Sequence, residues 1–260
     1  MSVYPLRQKL SEQRIIGTFI GIDAPNVVET MGRIGFDYLV VDAEHGPLGI
    51  RSIGDLLRSA ALVGAPTLVR VPETGPYIGR VLDAGAAGVL VPRIETADDA
   101  VDAVARARYA PEGYRGLGPG RGGYAGGDIP SHLRRANESV VVAIQIETLL
   151  GLKNADAILA VPGVDAVVVG PADLAASLGV PFGSTEHQAA VDRIIDAGLV
   201  HGVAPGAFCF TEDDAKRLAA RGARMLIVGG DSLYMSNAAK ATWAALSELS
   251  VPVTVDEVAR

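Results

Sequence analysis

Two carboxylates, one strand–helix–strand unit apart, carry the strongest chemistry in this sequence. Glu147 closes the apolar run VVVAIQIET, and Asp173 follows the apolar run VDAVVVGPADL. Both runs read as buried parallel strands bounded by turn or helix signals. An unpaired charge at the end of such a strand costs several kcal/mol, and a bound metal ion would remove that cost. Two carboxylates on the same end of a sheet suit a hard divalent cation that keeps water positions open. Gln145 lies two residues before Glu147, so on a strand both side chains face the same way.

His45 stands in DAEHG, after a buried strand and beside Asp42 and Glu44. Neighbouring carboxylates favour a protonated imidazole and orient its ring, as general acid–base chemistry requires. Arg70 is the only charge in TLVRV. An arginine ending a buried strand needs an anionic partner. Two readings of it stay open, a salt bridge to a barrel carboxylate or a cation placed where negative charge develops in a reaction. His132, His187 and His201 lack such company and read as surface or loop residues.

The hydrophobic patterning supplies a frame for these groups. Strands are predicted over residues 14–22, 36–41, 66–71, 88–94, the two opening runs, 203–210 and 224–228. Helices are predicted from Pro25 onward and over residues 50–63, 77–86, 187–199 and 233–246. Thr96 is the expected N-cap of ADDAVDAVARARYA, and Thr211 that of EDDAKRLAARGA, which ends in a glycine stop. Eight strands alternating with helices is the count of a (β/α)8 TIM barrel, one domain over residues 1–260. A doubly wound open sheet is the alternative, but no GxGxxG follows the first strand. In a barrel the reactive groups lie at the C-terminal ends of the strands. There the chain offers Asp42, Glu44, His45, Arg70, Arg93, Glu95, Gln145, Glu147, Asp173 and Asp231. The stretch GLGPGRGGYAGG, residues 116–127, falls between a helix and strand five, where connections are short. That places it mainly at the opposite end, as a linker or as an interface loop.

Bulk properties narrow the classes. The 260 residues are enough for a large buried core, with 49% hydrophobic and only 5% aromatic residues, which favours an α/β protein. A formal net charge of −7 argues against nucleic acid or an anionic membrane as partner. The single Cys209 excludes an internal disulfide and a cysteine-rich zinc site, in keeping with a cytoplasmic location. Neither a signal-peptide core nor a membrane-spanning run is expected.

QIET and GPADLAASLG resemble the HpcH/HpaI family of metal-dependent pyruvate aldolases. The resemblance continues through FDYLVVDAEHGP, VRVP, VLDAGAAGVLVPRIET and RYAPEGYRGLG, from about Gly17 to Asp231. It implies a barrel of the phosphoenolpyruvate/pyruvate type. It also implies a class II aldolase that makes or cleaves 4-hydroxy-2-oxo acids from pyruvate, or a close 2-oxo acid, and an aldehyde. Glu147 and Asp173 would hold Mg2+, Mn2+ or Co2+, with no organic cofactor. Gln145, Asp173 and the backbone at Ala172 would bind pyruvate, and Arg70 would stabilise the enolate oxygen. His45 would be the base, directly or through a water, assisted by Asp42. Asp83 of VLDAGA would raise its basicity, although the residues alone read Asp83 as an ordinary helix end. A homo-oligomer, a hexamer above all, would bring Arg121 of the glycine-rich loop, which also carries Tyr124, to an anionic aldehyde in a neighbouring site. The closing helix would offer Leu233, Trp243 and Leu246 to the interface.

Lysine usage separates two aldolase mechanisms. An imine mechanism needs a lysine inside the barrel, and the lysines here are at 9, 153, 216 and 240, none on a predicted strand. Three other readings compete. One is decarboxylation of an oxaloacetate-type acid through the same enolate. The second is a phosphate-binding barrel isomerase, for which VGGDS after strand eight could form part of a glycine nest. The third is a non-catalytic protein on the same fold.

Overall fold

The computed structural model describes residues 6–122 and 128–250. Eight parallel strands close into a barrel in chain order. They are β1 (Ile15–Ile20), β2 (Tyr38–Asp42), β3 (Thr67–Arg70), β4 (Gly88–Val91), β5 (Val141–Ile146), β6 (Ala166–Val169), β7 (Ala204–Cys209) and β8 (Met225–Gly230). The helices are α1 (Leu6–Glu12), α2 (Pro25–Ile34), α3 (Ile50–Leu62), α4 (Tyr77–Asp83), α5 (Ala97–Ala107) and α6 (Ile129–Ser139). After β5 come α7 (Leu149–Lys153), α8 (Ala155–Leu159), α9 (Pro171–Leu178), α10 (Thr185–His201), α11 (Glu212–Ala220) and α12 (Asp231–Leu246). None of them is long and apolar enough to cross a membrane, among the described residues.

The continuous apolar runs are strands buried on both faces, as parallel strands are. Alternate residues divide between two cores. Val142, Ile144 and Ile146 of β5 meet the helices, while Val141 and Ala143 point into the barrel with Tyr38, Val40, Leu68, Leu90, Val168 and Ile227. Gly17 leaves room for Tyr38, whose ring occupies the space a Cβ would need. The Tyr38 hydroxyl donates to the Leu226 carbonyl at 2.9 Å.

Most strand ends are trimmed relative to the predictions, while β2 runs one residue and β8 two residues further at their C-terminal ends. Thr96 and Thr211 each form a reciprocal capping box with the aspartate three residues on, Asp99 and Asp214. Three further helices have no counterpart in the pattern. α1 buries Leu6 and Leu10 in the barrel interior and stoppers its N-terminal end. α6 follows the glycine-rich stretch, capped by Asp128. α9 starts at Pro171 and ends on Gly179 in the left-handed conformation, the proline-first, glycine-last order that suits a short helix.

Candidate active site

β5 sets the floor of the C-terminal mouth. Its inward parity continues through Gln145 to Glu147, which is only 4% exposed. Glu147 Oε1 accepts the Arg93 backbone N–H at 2.9 Å, and Oε2 accepts Gln145 Nε2–H at 2.9 Å. Across β6, Gly170 makes the position possible, because a Cβ there would collide with the Glu147 carboxylate. Burial pushes the Glu147 carboxyl up to about 7, and the charges of Glu44 and Asp173 add to the rise. The Arg93 N–H and the Arg70 charge oppose it. Asp173 is not on a strand; it lies in the first turn of α9, exposed, one residue after Ala172.

Arg93 holds φ at 52°, the one non-glycine residue in the left-handed region among the described residues. Such a conformation costs about 1–2 kcal/mol outside glycine. Here it accompanies an N–H donated to Glu147. The sequence marked Arg93 as a side chain on the rim, whereas its backbone supplies this contact.

β2 and β3 place the second half of the site in register, with Asp42 beside Arg70. The Asp42 carboxylate takes Arg70 Nε and Nη2 at 2.9 and 2.6 Å. Arg70 Nη1 lies 3.2 Å from Glu44 Oε2, and the guanidinium stacks 4.6 Å above the Phe19 ring. Burial raises Asp42, but Arg70 and the backbone N–H groups of His45 and Glu44 outweigh it, leaving the carboxyl below its usual range. Glu44 is raised, mainly by burial, against the pull of Arg70 and His45. His45 projects into the open mouth, its Nε2 3.9 Å from Glu44 Oε2. Arg70 is thus salt-bridged to barrel carboxylates while it faces the mouth.

Other named residues lie elsewhere in the fold. Asp83 ends α4, which runs back against the strands, so it lies at the N-terminal end of the barrel, paired with Arg115 at 2.7 Å. Within one chain it does not reach His45. Arg121 lies at that same end, packed on Gly85. With Arg115, His132 and Arg135 it lines a cavity of about 690 Å3. None of Glu147, Arg70 and His45 lines this cavity. Tyr124 lies outside the described residues. His187 is neither a surface nor a loop residue. Buried at the start of α10, it accepts the Gly183 N–H on Nδ1 at 3.1 Å and places Nε2 2.8 Å from the Pro171 carbonyl, which makes Nε2 the protonated nitrogen. His132 and His201 lie on helices α6 and α10. Asp231 is filled by structure: its carboxylate accepts the N–H groups of Gly21, Ile22 and Ser232 at 2.7–3.1 Å. Of the amides after β8, that of Ser232 is therefore taken by the chain's own acid.

The donor set fits a divalent cation. Among the described residues no three or more His, Cys, Asp or Glu side chains are arranged to hold a metal ion by themselves. Glu147 and Asp173 nevertheless suffice for an ion of the Mg2+ type, which binds through one or two carboxylates and keeps substrate or water oxygens for the rest. Two features favour a cation here. Glu147 is buried and repelled by its acidic neighbours, and Gln145 Oε1 is buried with no partner. All four lysines lie on helices, so none offers an amine inside the barrel.

The family model for HpcH/HpaI aldolase/citrate lyase matches residues 15–238. A 5-keto-4-deoxy-D-glucarate aldolase of Klebsiella pneumoniae is 39% identical over 220 residues, covering 83% of this chain and 86% of the relative. The crystal structure of a family protein from Burkholderia cenocepacia superposes with a TM-score of 0.86 at 34% identity, covering 95% of this chain and 99% of that one. An HpcH/HpaI aldolase from Desulfitobacterium hafniense gives a TM-score of 0.87 at 30% identity, covering 95% and 97%.

Proposed function

The chain belongs to the HpcH/HpaI aldolase/citrate lyase family, and from that premise we propose a metal-dependent aldolase that joins pyruvate, or a close 2-oxo acid, to an aldehyde. The observation that carries this reading is the buried Glu147, facing Asp173 and Arg70 at the barrel mouth.

Glu147 and Asp173 would hold the divalent ion, Mg2+, Mn2+ or Co2+. Bound there, the ion supplies Lewis acidity that makes the C3 protons of a 2-oxo acid easier to remove. The first-turn N–H groups of α9, at Ala172 and Asp173, offer the positive end of a helix to the substrate carboxylate. Gln145 fixes the Glu147 carboxylate through its Nε2–H and keeps Oε1 for a donor in the site. His45 stands in the open mouth and takes a C3 proton, directly or through a water. Arg70, clamped by Asp42, presents Nη1 where negative charge grows on the C2 oxygen. The C3 carbon then bonds to the aldehyde carbon, the aldehyde π bond breaks, and its oxygen takes a proton returned by His45.

Oxaloacetate-type decarboxylation would reach the same enolate by loss of CO2 instead of a C3 proton, and the relatives named as aldolases do not favour it. Assembly belongs to the same reading. Beyond residue 234, α12 lies free of the barrel, with Met235, Trp243 and Leu246 exposed. This face suits a homo-oligomer, with a hexamer expected, and Trp243→Glu should lower the mass measured by light scattering.

Exchange of the pyruvate methyl protons into D2O, followed by NMR, tests the chemistry without any aldehyde. Exchange should require added metal, stop in chelator and be lost in His45→Ala while metal affinity persists. Full exchange in chelator, or a borohydride-trapped pyruvate adduct, would overturn the reading.

A further inference from the structure

One side of the mouth remains outside the chemistry above. From Arg70 an aromatic file runs around the barrel end. Phe19 lies under the guanidinium, with its ring 5.6 Å from that of Phe208. Phe208 meets Phe210 edge-on at 4.7 Å, and Phe210 meets Phe182 edge-on at 5.4 Å. The chain has only five phenylalanines, so gathering Phe19, Phe182, Phe208 and Phe210 here concentrates most of them at one place. The file ends on the cavity beside Ala172, about 290 Å3, lined by Ala172, Phe182 and Phe210.

Both phenylalanines of that cavity are exposed, Phe182 by 55% and Phe210 by 44%. They are held there by built structure. Phe182 packs at 5.0 Å on the buried His187, whose ring is fixed between Gly183 and Pro171. Phe210 follows β7 and precedes the Thr211 capping box. Ala172 is the residue next to Asp173, so the cavity opens directly beside the groups assigned to pyruvate. No ionisable side chain lines it among the described residues. Arg70, at the other end of the aromatic file, is already held by Asp42 and Glu44.

We propose that this aromatic cavity is the acceptor side of the site and that it selects apolar aldehydes, aryl or branched alkyl, over acidic or polyhydroxylated ones. The proposal rests on the aldolase reading. It departs from the sugar-acid substrate in the names of the relatives. An apolar acceptor covers Phe182 and Phe210 and loses little hydration. A carboxylate or a row of hydroxyls placed there would lose water without gaining a partner. In the aldol step the acceptor's carbonyl carbon bonds to C3, and its oxygen becomes the C4 hydroxyl. The aldehyde substituent is then the part that lies along the two rings.

The test is a panel of acceptors with pyruvate and Mn2+: benzaldehyde and isobutyraldehyde against glyceraldehyde, glyoxylate and succinic semialdehyde. For the unaltered protein kcat/KM should be at least about 10-fold higher for the apolar pair, the discrimination an apolar pocket supplies. Phe182→Ala and Phe210→Ala should each lower kcat/KM for benzaldehyde on the order of 10- to 100-fold and shift the ratio toward glyoxylate. Phe210→Leu, which keeps an apolar wall, should fall between. Higher kcat/KM for succinic semialdehyde or glyoxylate than for the apolar pair would overturn the proposal and favour a cation such as Arg121 from a neighbouring copy. Equal losses for every acceptor in the variants would also overturn it, by making the rings structural. Methyl-proton exchange with pyruvate alone, measured on the same samples, separates the two failures. Exchange without apolar preference sinks the acceptor inference alone, and no exchange sinks the aldolase reading beneath it.

Discussion

The two ends of the barrel treat charge in opposite ways. At the N-terminal end each buried charge has a built partner. Arg7 and Arg108 share Asp165 at 2.7 and 3.0 Å, and the same aspartate accepts the Val142 N–H. Lys9 pairs with Asp37, and Arg115 with Asp83. Leu6 and Leu10 close that end with apolar surface. At the C-terminal mouth Arg70 pairs with Asp42 and Glu44, and its charge also reaches Glu147, while Asp173 acts on both glutamates, so the carboxylates outnumber the guanidinium. Glu147 carries a raised pKa and Arg93 a left-handed backbone. Balanced charge stabilises a fold. Unbalanced charge at a mouth is retained where a ligand completes it.

Charge removal should therefore act on different properties at the two ends. The largest effect is expected at the mouth. Arg70→Ala should lower kcat on the order of 10²–10³-fold, the usual loss for one donor aimed at developing charge. Arg70→Lys should recover only part, because a lysine cannot reproduce the two-pronged contact with Asp42. If kcat is unchanged in Arg70→Ala, Arg70 is a structural ion pair and the mouth resembles the other end.

At the N-terminal end Arg108→Met should cost about 3 kcal/mol of stability by denaturant titration, toward the lower end of the range for breaking a buried pair. Arg7 still faces Asp165 in that variant, which limits the loss. Turnover per folded molecule should be kept. A fall in kcat with unchanged stability would erase the division between the two ends.

The barrel was legible because its evidence is periodic and redundant. Eight buried runs with caps between them point to one architecture, and an error of two residues at an end alters nothing. Glu147, Asp173, Gln145, Asp42, Arg70 and His45 were legible as a set for a related reason. A charge at the end of an apolar strand is conspicuous, and barrel geometry brings strand ends together. What was not legible depends on backbone or on distant pairing. The Arg93 N–H reads the same as any other amide in a sequence. His187 owes its burial to a turn and a carbonyl that only folding brings near. Asp83 and Arg121 were placed by resemblance; α4 carries Asp83 to the far end of its own chain, and Arg121 packs on Gly85 there. The phenylalanines of the file lie up to 191 residues apart, from Phe19 to Phe210, with no local pattern to join them. α1 and α6 were missed because their apolar faces are short, with two buried residues, Leu6 and Leu10, in the first, and only Asn137 in the second.

Acidity sharpens the contrast further. Folding raises the Glu147 carboxyl from the ordinary glutamate range to about 7. The folded chain thus holds that proton more tightly than the unfolded chain does. In chelator, stability contributed by protonated Glu147 is full at low pH and falls as pH rises through the folded value of about 7. The loss is on the order of 3 kcal/mol between pH 4.5 and pH 8. Glu147→Gln should flatten this slope, and a divalent metal should do the same in the unaltered protein, since binding displaces the proton. Asp42 has the opposite sign, because its lowered pKa adds stability at neutral pH that disappears only in acid. A chelated protein with no slope around pH 7 would mean that Glu147 is already solvated.

The smallest effect concerns backbone strain. Arg93 adopts φ 52° with its side chain exposed and its N–H on Glu147. Glycine takes that conformation without the Cβ clash, worth about 1–2 kcal/mol, but it also loses more chain entropy on folding, about 0.5–1 kcal/mol. Arg93→Gly should therefore raise stability by a few tenths to about 1 kcal/mol. The N–H contact needs no side chain, so the Glu147 carboxyl should keep its position and the pH slope in chelator should be unchanged. A gain in stability with that slope intact would locate the strain in the backbone that braces the Glu147 carboxylate. A loss greater than about 1 kcal/mol would instead show that the exposed guanidinium stabilises the acidic mouth, making Arg93 a second cation there beside Arg70.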